Sequence, residues 1–85
     1  MDKSKIQSEI IAYLKLGNPT INNMKKIPLN EYLVEKGYLD SFGIIESLQF
    51  IEKNFKIKIL DEEVSREKIG TINKMTDLVF KKINT

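Results

Sequence analysis

Between Asp2 and Leu16 the apolar residues Ile6, Ile10, Tyr13 and Leu14 recur at i, i+4, i+7 and i+8, the spacing of one helical stripe. Ile11, Ala12 and Leu16 widen that stripe, and Lys3, Lys5, Gln7, Glu9 and Lys15 fill the wet positions. Gly17-Asn18-Pro19 then reads as a stop: glycine suits the left-handed cap, and proline cannot continue a helix. A second stripe runs from Ser41 to Asn54. Ile44, Leu48, Ile51 and Phe55 lie on its core side, while Phe42, Ile45, Glu46, Gln49 and Lys53 share another face. A third stripe, Ile72, Met75, Val79 and Ile83, predicts a last helix over Thr71 to Ile83, flanked by Leu78 and Phe80. Lys81 and Lys82 in its final turn complement the helix dipole.

The segments between the stripes are less regular. Gly17 to Asp40 is long for a connection inside a compact domain, so it must be fastened by its own apolar residues, here Ile27, Leu29, Leu33 and Leu39. Asn30 to Lys36 has room for one or two helical turns before Gly37. Lys56 to Leu60 alternates like a strand but has no partner strand, and reads as an extended link whose isoleucines plug the core. Asp61 to Lys68 is polar, with Ser65 placed to cap a short helical turn. The pattern predicts one all-α domain over residues 1–85, a small four-helix bundle of three longer helices and one short helix.

Composition removes several classes of function. With 41% hydrophobic and 31% charged residues, the chain suits an ordinary globular domain. It holds no cysteine and no histidine, so disulfides, thiolate chemistry and the commonest general base are absent. No catalysis of its own is expected. The net charge of +2 is spread along the chain, and the helix over Ser41 to Asn54 carries a single lysine, which argues against a nucleic-acid-binding helix. The start of the chain lacks the apolar core of a signal peptide, and no stretch approaches the ~20 apolar residues of a membrane span. A cytoplasmic monomer without membrane insertion is the expectation.

The candidate chemistry gathers at Gly37-Tyr38-Leu39-Asp40-Ser41-Phe42. Asp and Ser before an apolar-periodic run are what helix N-caps look like, since their oxygens accept from the unpaired amides of the first turn. If Asp40 caps, Ser41 takes the first helical position with its hydroxyl free to point outward. A phosphoester there would sit in the favourable field of the helix N-terminus. No histidine is available to activate Ser41 as a nucleophile, and Lys36 is only a distant substitute. A serine unable to act but well placed for modification is a substrate for another enzyme.

Gly37-x-x-Asp40-Ser41-Phe42, then Phe50-Ile51-Glu52-Lys53-Asn54-Phe55-Lys56-Ile57-Lys58-Ile59, Asp61-Glu62-Glu63 and Thr71-Ile72, resembles the acyl carrier and peptidyl carrier proteins over most of the chain. The resemblance implies an acyl-carrier-like bundle, with Ser41 as the attachment site for the 4′-phosphopantetheine arm of coenzyme A and Asp40 as its motif neighbour. It further implies a phosphopantetheinyl transferase, an acyl- or aminoacyl-loading enzyme and a downstream acyltransferase or synthase as partners. Acyl, aminoacyl or peptidyl groups would ride on the arm's thiol as thioesters. Phe42, Ile45, Glu46, Gln49 and Glu52 would form the docking face. An unmodified helical adaptor of the same fold is the alternative.

Two features depart from the family. Phe42 stands where leucine is usual, and Gly43 stands where a better helix former would gain up to about 1 kcal/mol. Charge differs more. Glu46 and Glu52 against Lys53 leave Ser41 to Phe55 at −1, and Asp61, Glu62, Glu63 and Glu67 against Arg66 and Lys68 leave the later segment at −2. Such weak acidity points away from the housekeeping fatty-acid carrier and toward a specialised pathway, with the glutamates steering basic partners.

Overall fold

The computed structural model describes residues 1–84. Its described residues form helices and connecting turns, with no strand among them. Helix α1 spans Lys3–Gly17, α2 Pro19–Asn22, α3 Ser41–Phe55, α4 Arg66–Ile69 and α5 Ile72–Ile83, with one 3₁₀ turn at Asp61–Glu63. Three long helices therefore stand where the apolar stripes predict them. The short elements differ from expectation, because there are two short α-helices rather than one.

Helix α1 packs against α5, α2 and α3, α3 also meets α5, and α4 lies on α5. The centre holds Ile6, Ile10 and Leu14 of α1, Ile44, Leu48 and Ile51 of α3, and Ile72, Met75, Leu78 and Val79 of α5. Leu78 is thus core rather than flank. Leu16 is the opposite case: at 89% exposed it widens nothing. Phe55 is only partly buried, while Phe50 stacks on Tyr13 with ring centroids 4.2 Å apart. Burial, followed by the charge of Glu46, raises the Tyr13 pKa above the usual phenol value.

Gly17-Asn18-Pro19 ends α1 as the sequence predicts, but without the left-handed glycine cap. Gly17 stays in α1 and Asn18 is extended. Pro19, whose fixed φ suits a first helical position, starts α2 at once. Asn18 accepts the Ile21 N–H at 3.0 Å as its cap and donates its Nδ2 to the Tyr38 carbonyl, tying α2 to the approach to α3. The connection from there to α3 has no helix at residues 30–36, where turn hydrogen bonds replace it. Leu33 is its fully buried anchor, with Ile27, Leu29 and Leu39 partly buried around the core. After α3, Lys56 adopts the left-handed conformation at φ 56°, and Ile59 enters the core while Ile57 packs at its edge.

Gly70 ends α4 where the chain passes close to Tyr32. A Cβ there would lie 2.7 and 2.9 Å from two atoms of the Tyr32 ring and would collide with the Arg66 carbonyl. Gly70→Ala is therefore expected to lower stability by about 1–3 kcal/mol, the usual cost of overpacking. Thermal denaturation followed by circular dichroism checks this, and a wild-type melting temperature would mean that the approach is looser than described.

Candidate functional site

The start of α3 is built from the turn before it. Gly37 takes a left-handed φ of 79°, and the Tyr38 and Leu39 amides both donate to the Leu33 carbonyl, at 2.9 and 3.1 Å. The Tyr38 hydroxyl donates to Glu31 at 2.8 Å, and this bond raises the Tyr38 pKa above its ordinary value. The chain thus reaches Asp40 in a held, extended conformation (φ −94°, ψ −179°). Its carboxylate accepts the Gly43 N–H at 2.7 Å, and its carbonyl accepts the first helical bond, from Ile44, at 3.1 Å. Asp40 is the N-cap, as the sequence predicts.

Ser41 consequently occupies the first position of α3, exposed, with no hydrogen bond from its hydroxyl among the described residues. The contrast with Ser47 is instructive. That second serine of α3 is 2% exposed and donates to the Gly43 carbonyl at 2.8 Å, so its hydroxyl is spent within the helix. Gly43 packs close to Leu39, where a Cβ would stand 3.2 Å from a Leu39 methyl carbon. The glycine thus trades helix propensity for a snug turn beneath the cap.

Ser41 also stands on the rim of a cleft of about 360 Å³. Ile44 and Ile69 are buried and form its floor, while Val34, Ile45 and Val64, each 40–44% exposed, line its edge. On the same edge Arg66 Nε donates to a Glu35 carboxylate oxygen at 2.6 Å, and the guanidinium lies over the Tyr32 ring at 4.1 Å. The Arg66 hydrogen bond holds the Glu35 carboxyl below the usual glutamate range, and Glu35 in turn raises the Arg66 pKa. The pair's contribution to stability is accordingly present above the pKa of a free glutamate. It is lost only as the pH falls through the lower, folded-state value.

Of the docking residues expected from sequence, Phe42, Ile45, Glu46 and Gln49 are exposed along one side of α3, Phe42 at 69%. Glu52 is different. It is half-buried, and its carboxylate accepts the Ile59 N–H at 2.8 Å, fastening the segment after α3. Sequence reasoning did not find the cleft or its Glu35–Arg66 edge. The sole arginine of the chain was a visible oddity, but its partner lies 31 residues away. No group of three or more potential ligating side chains is placed to hold a metal ion among the described residues. No helix among them is long and apolar enough to cross a membrane. No family model and no curated protein matches the chain.

Proposed function

We propose that this chain is a carrier domain of the acyl carrier and peptidyl carrier kind, activated on Ser41 by a separate phosphopantetheinyl transferase. In that step the Ser41 hydroxyl oxygen displaces the adenosine bisphosphate part of coenzyme A from its pyrophosphate. The result is a phosphodiester to the 4′-phosphopantetheine arm. The observation that carries the reading is Ser41 itself, exposed and unbonded at the first position of a helix whose cap is supplied by its neighbour Asp40. The helix amides and dipole favour the added negative charge, and the cleft at its side offers apolar shelter to whatever the arm brings.

On this reading the domain is a monomer without catalysis of its own. A loading enzyme places an acyl or aminoacyl group on the arm's thiol, and an acyltransferase or synthase of a specialised pathway removes it. The exposed Phe42 and Ile45 would meet these partners, with Glu46 and Gln49 beside them. The same exposed pair would serve an unmodified adaptor equally well. Mass decides between them: incubation with coenzyme A and a promiscuous phosphopantetheinyl transferase is expected to add one arm per chain. A wild-type protein that gains no mass is not a carrier, and the adaptor reading then stands in its place.

A further inference from the structure

Asn18 lies between the end of α1 and the start of α2, half-buried, and its side chain is used twice. Its Oδ1 accepts the Ile21 N–H at 3.0 Å and so caps α2. Its Nδ2 donates to the Tyr38 carbonyl, in the turn that leads to Ser41. The cap alone does not require this residue, because Asp and Ser are N-caps of comparable strength. A carboxylate has no hydrogen to give, however, and a serine hydroxyl stops a bond short of where the amide nitrogen stands. The bond to Tyr38 is therefore the one that needs an amide. No backbone amide among the described residues donates to the Tyr38 carbonyl, so Asn18 is its partner there. Tyr38 is otherwise held from within its own turn, by its N–H to the Leu33 carbonyl at 2.9 Å and its hydroxyl to Glu31 at 2.8 Å. Asn18 adds a hold from the α1–α2 junction. The same side chain lines a recess of about 80 Å³ together with Leu39 and Gly43, so it stands against the first turn of α3 as well as the approach to it. A segment with no helix of its own opens at low free-energy cost, and there the loss of one hydrogen bond changes how often the turn is formed.

We propose that Asn18 is a positioning residue for the modification of Ser41: its amide ties the turn before Asp40 to the end of α1, and so keeps the start of α3 in the conformation a transferase must meet. The modification rests on the carrier reading, whereas the hold on the turn can be tested on the unmodified protein. An enzyme that engages only the formed turn meets less of it once the tie is lost. Its apparent affinity for the chain then falls while the chemical step is unchanged.

The test uses the full chain and two variants, Asn18→Asp and Asn18→Ser, which keep the α2 cap and lose the bond to Tyr38. In the unmodified protein, amide exchange with solvent read by NMR is expected to quicken about two- to tenfold at Tyr38 and Leu39 in both variants, the span of one hydrogen bond in an equilibrium. Ile21 and Ile51 should exchange as in wild type, since the cap and the core are untouched. With coenzyme A and transferase, KM for both variants is expected to rise about two- to fivefold at unchanged kcat. Unchanged exchange at Tyr38 and Leu39 overturns the proposal, and so does faster exchange throughout the chain, which is general destabilisation. Faster exchange at the turn with a wild-type KM overturns it as well, because the held turn then does not govern Ser41. An effect in Asn18→Asp that is missing from Asn18→Ser assigns the change to the added charge and overturns it too. A wild-type chain that takes up no arm removes the carrier reading and the positioning role with it. The exchange rates then still show whether Asn18 holds the turn, so the two failures are separately visible.

Discussion

Ser41→Ala is expected to lose the whole mass gain on incubation with coenzyme A and transferase, while keeping wild-type stability to within about 0.5 kcal/mol. The second half follows from the first turn of α3. The Ser41 hydroxyl has no partner there, so its removal leaves no group unsatisfied. Asp40→Ala is expected to do the reverse. It deletes the acceptor of the Gly43 N–H and costs about 0.5–2 kcal/mol, the usual range for a lost N-cap. Modification is then slowed by fraying of the turn that presents Ser41, but is not abolished. Asp40→Asn keeps an acceptor and is expected to retain the stability. Intact-mass spectrometry and urea denaturation on the three variants separate chemistry from scaffold. Equal mass gain in Ser41→Ala and wild type would remove Ser41 from the function altogether.

The three long helices and the Asp40 cap were legible in the sequence because each has a local signal. Ile44, Leu48 and Ile51 return to one side of a helix at fixed spacing, and an acid before such a run is a cap. What was not legible depends on distance or on shortness. Pro19 carries two meanings, helix stop and first helical residue, and a four-residue helix has no periodicity to choose between them. Leu16 is apolar at a position the fold leaves wet. Glu52 reads as an outward-facing helical residue. Its hold on Ile59 depends on the left-handed turn at Lys56, a conformation few non-glycine residues adopt and sequence does not announce. Glu35 and Arg66 meet across 31 residues with no shared pattern.

That division bears on how the site is held. The cap at Asp40 is local, but the turn that delivers Asp40 is fixed from outside, by the Leu33 carbonyl and by the side chain of Asn18. Ser41 is therefore presented by contacts that begin well before it in sequence. Substitutions distant from Asp40-Ser41 should reach it through Leu33.

Leu33→Ala carries the largest expected loss of stability. The side chain is fully buried in a segment with no helix of its own, and its backbone serves three bonds: its N–H to Gly70, and its carbonyl to Tyr38 and Leu39. Truncating a buried leucine costs about 2–5 kcal/mol through lost transfer energy and the cavity left behind. For a chain of 85 residues the whole stability is on the order of 4–13 kcal/mol, so the variant keeps little margin. Ile10→Ala makes the useful comparison, because Ile10 is 1% exposed on α1 and belongs to the same central core. Both variants are expected to show lower urea midpoints. Only Leu33→Ala should also be modified more slowly under conditions where both remain folded, because Leu33, unlike Ile10, holds the turn that ends in Asp40. Parallel loss of rate in the two would assign the effect to general destabilisation. A wild-type midpoint in Leu33→Ala would mean that the long connection is fastened to the core elsewhere, through Ile27, Leu29 and Leu39.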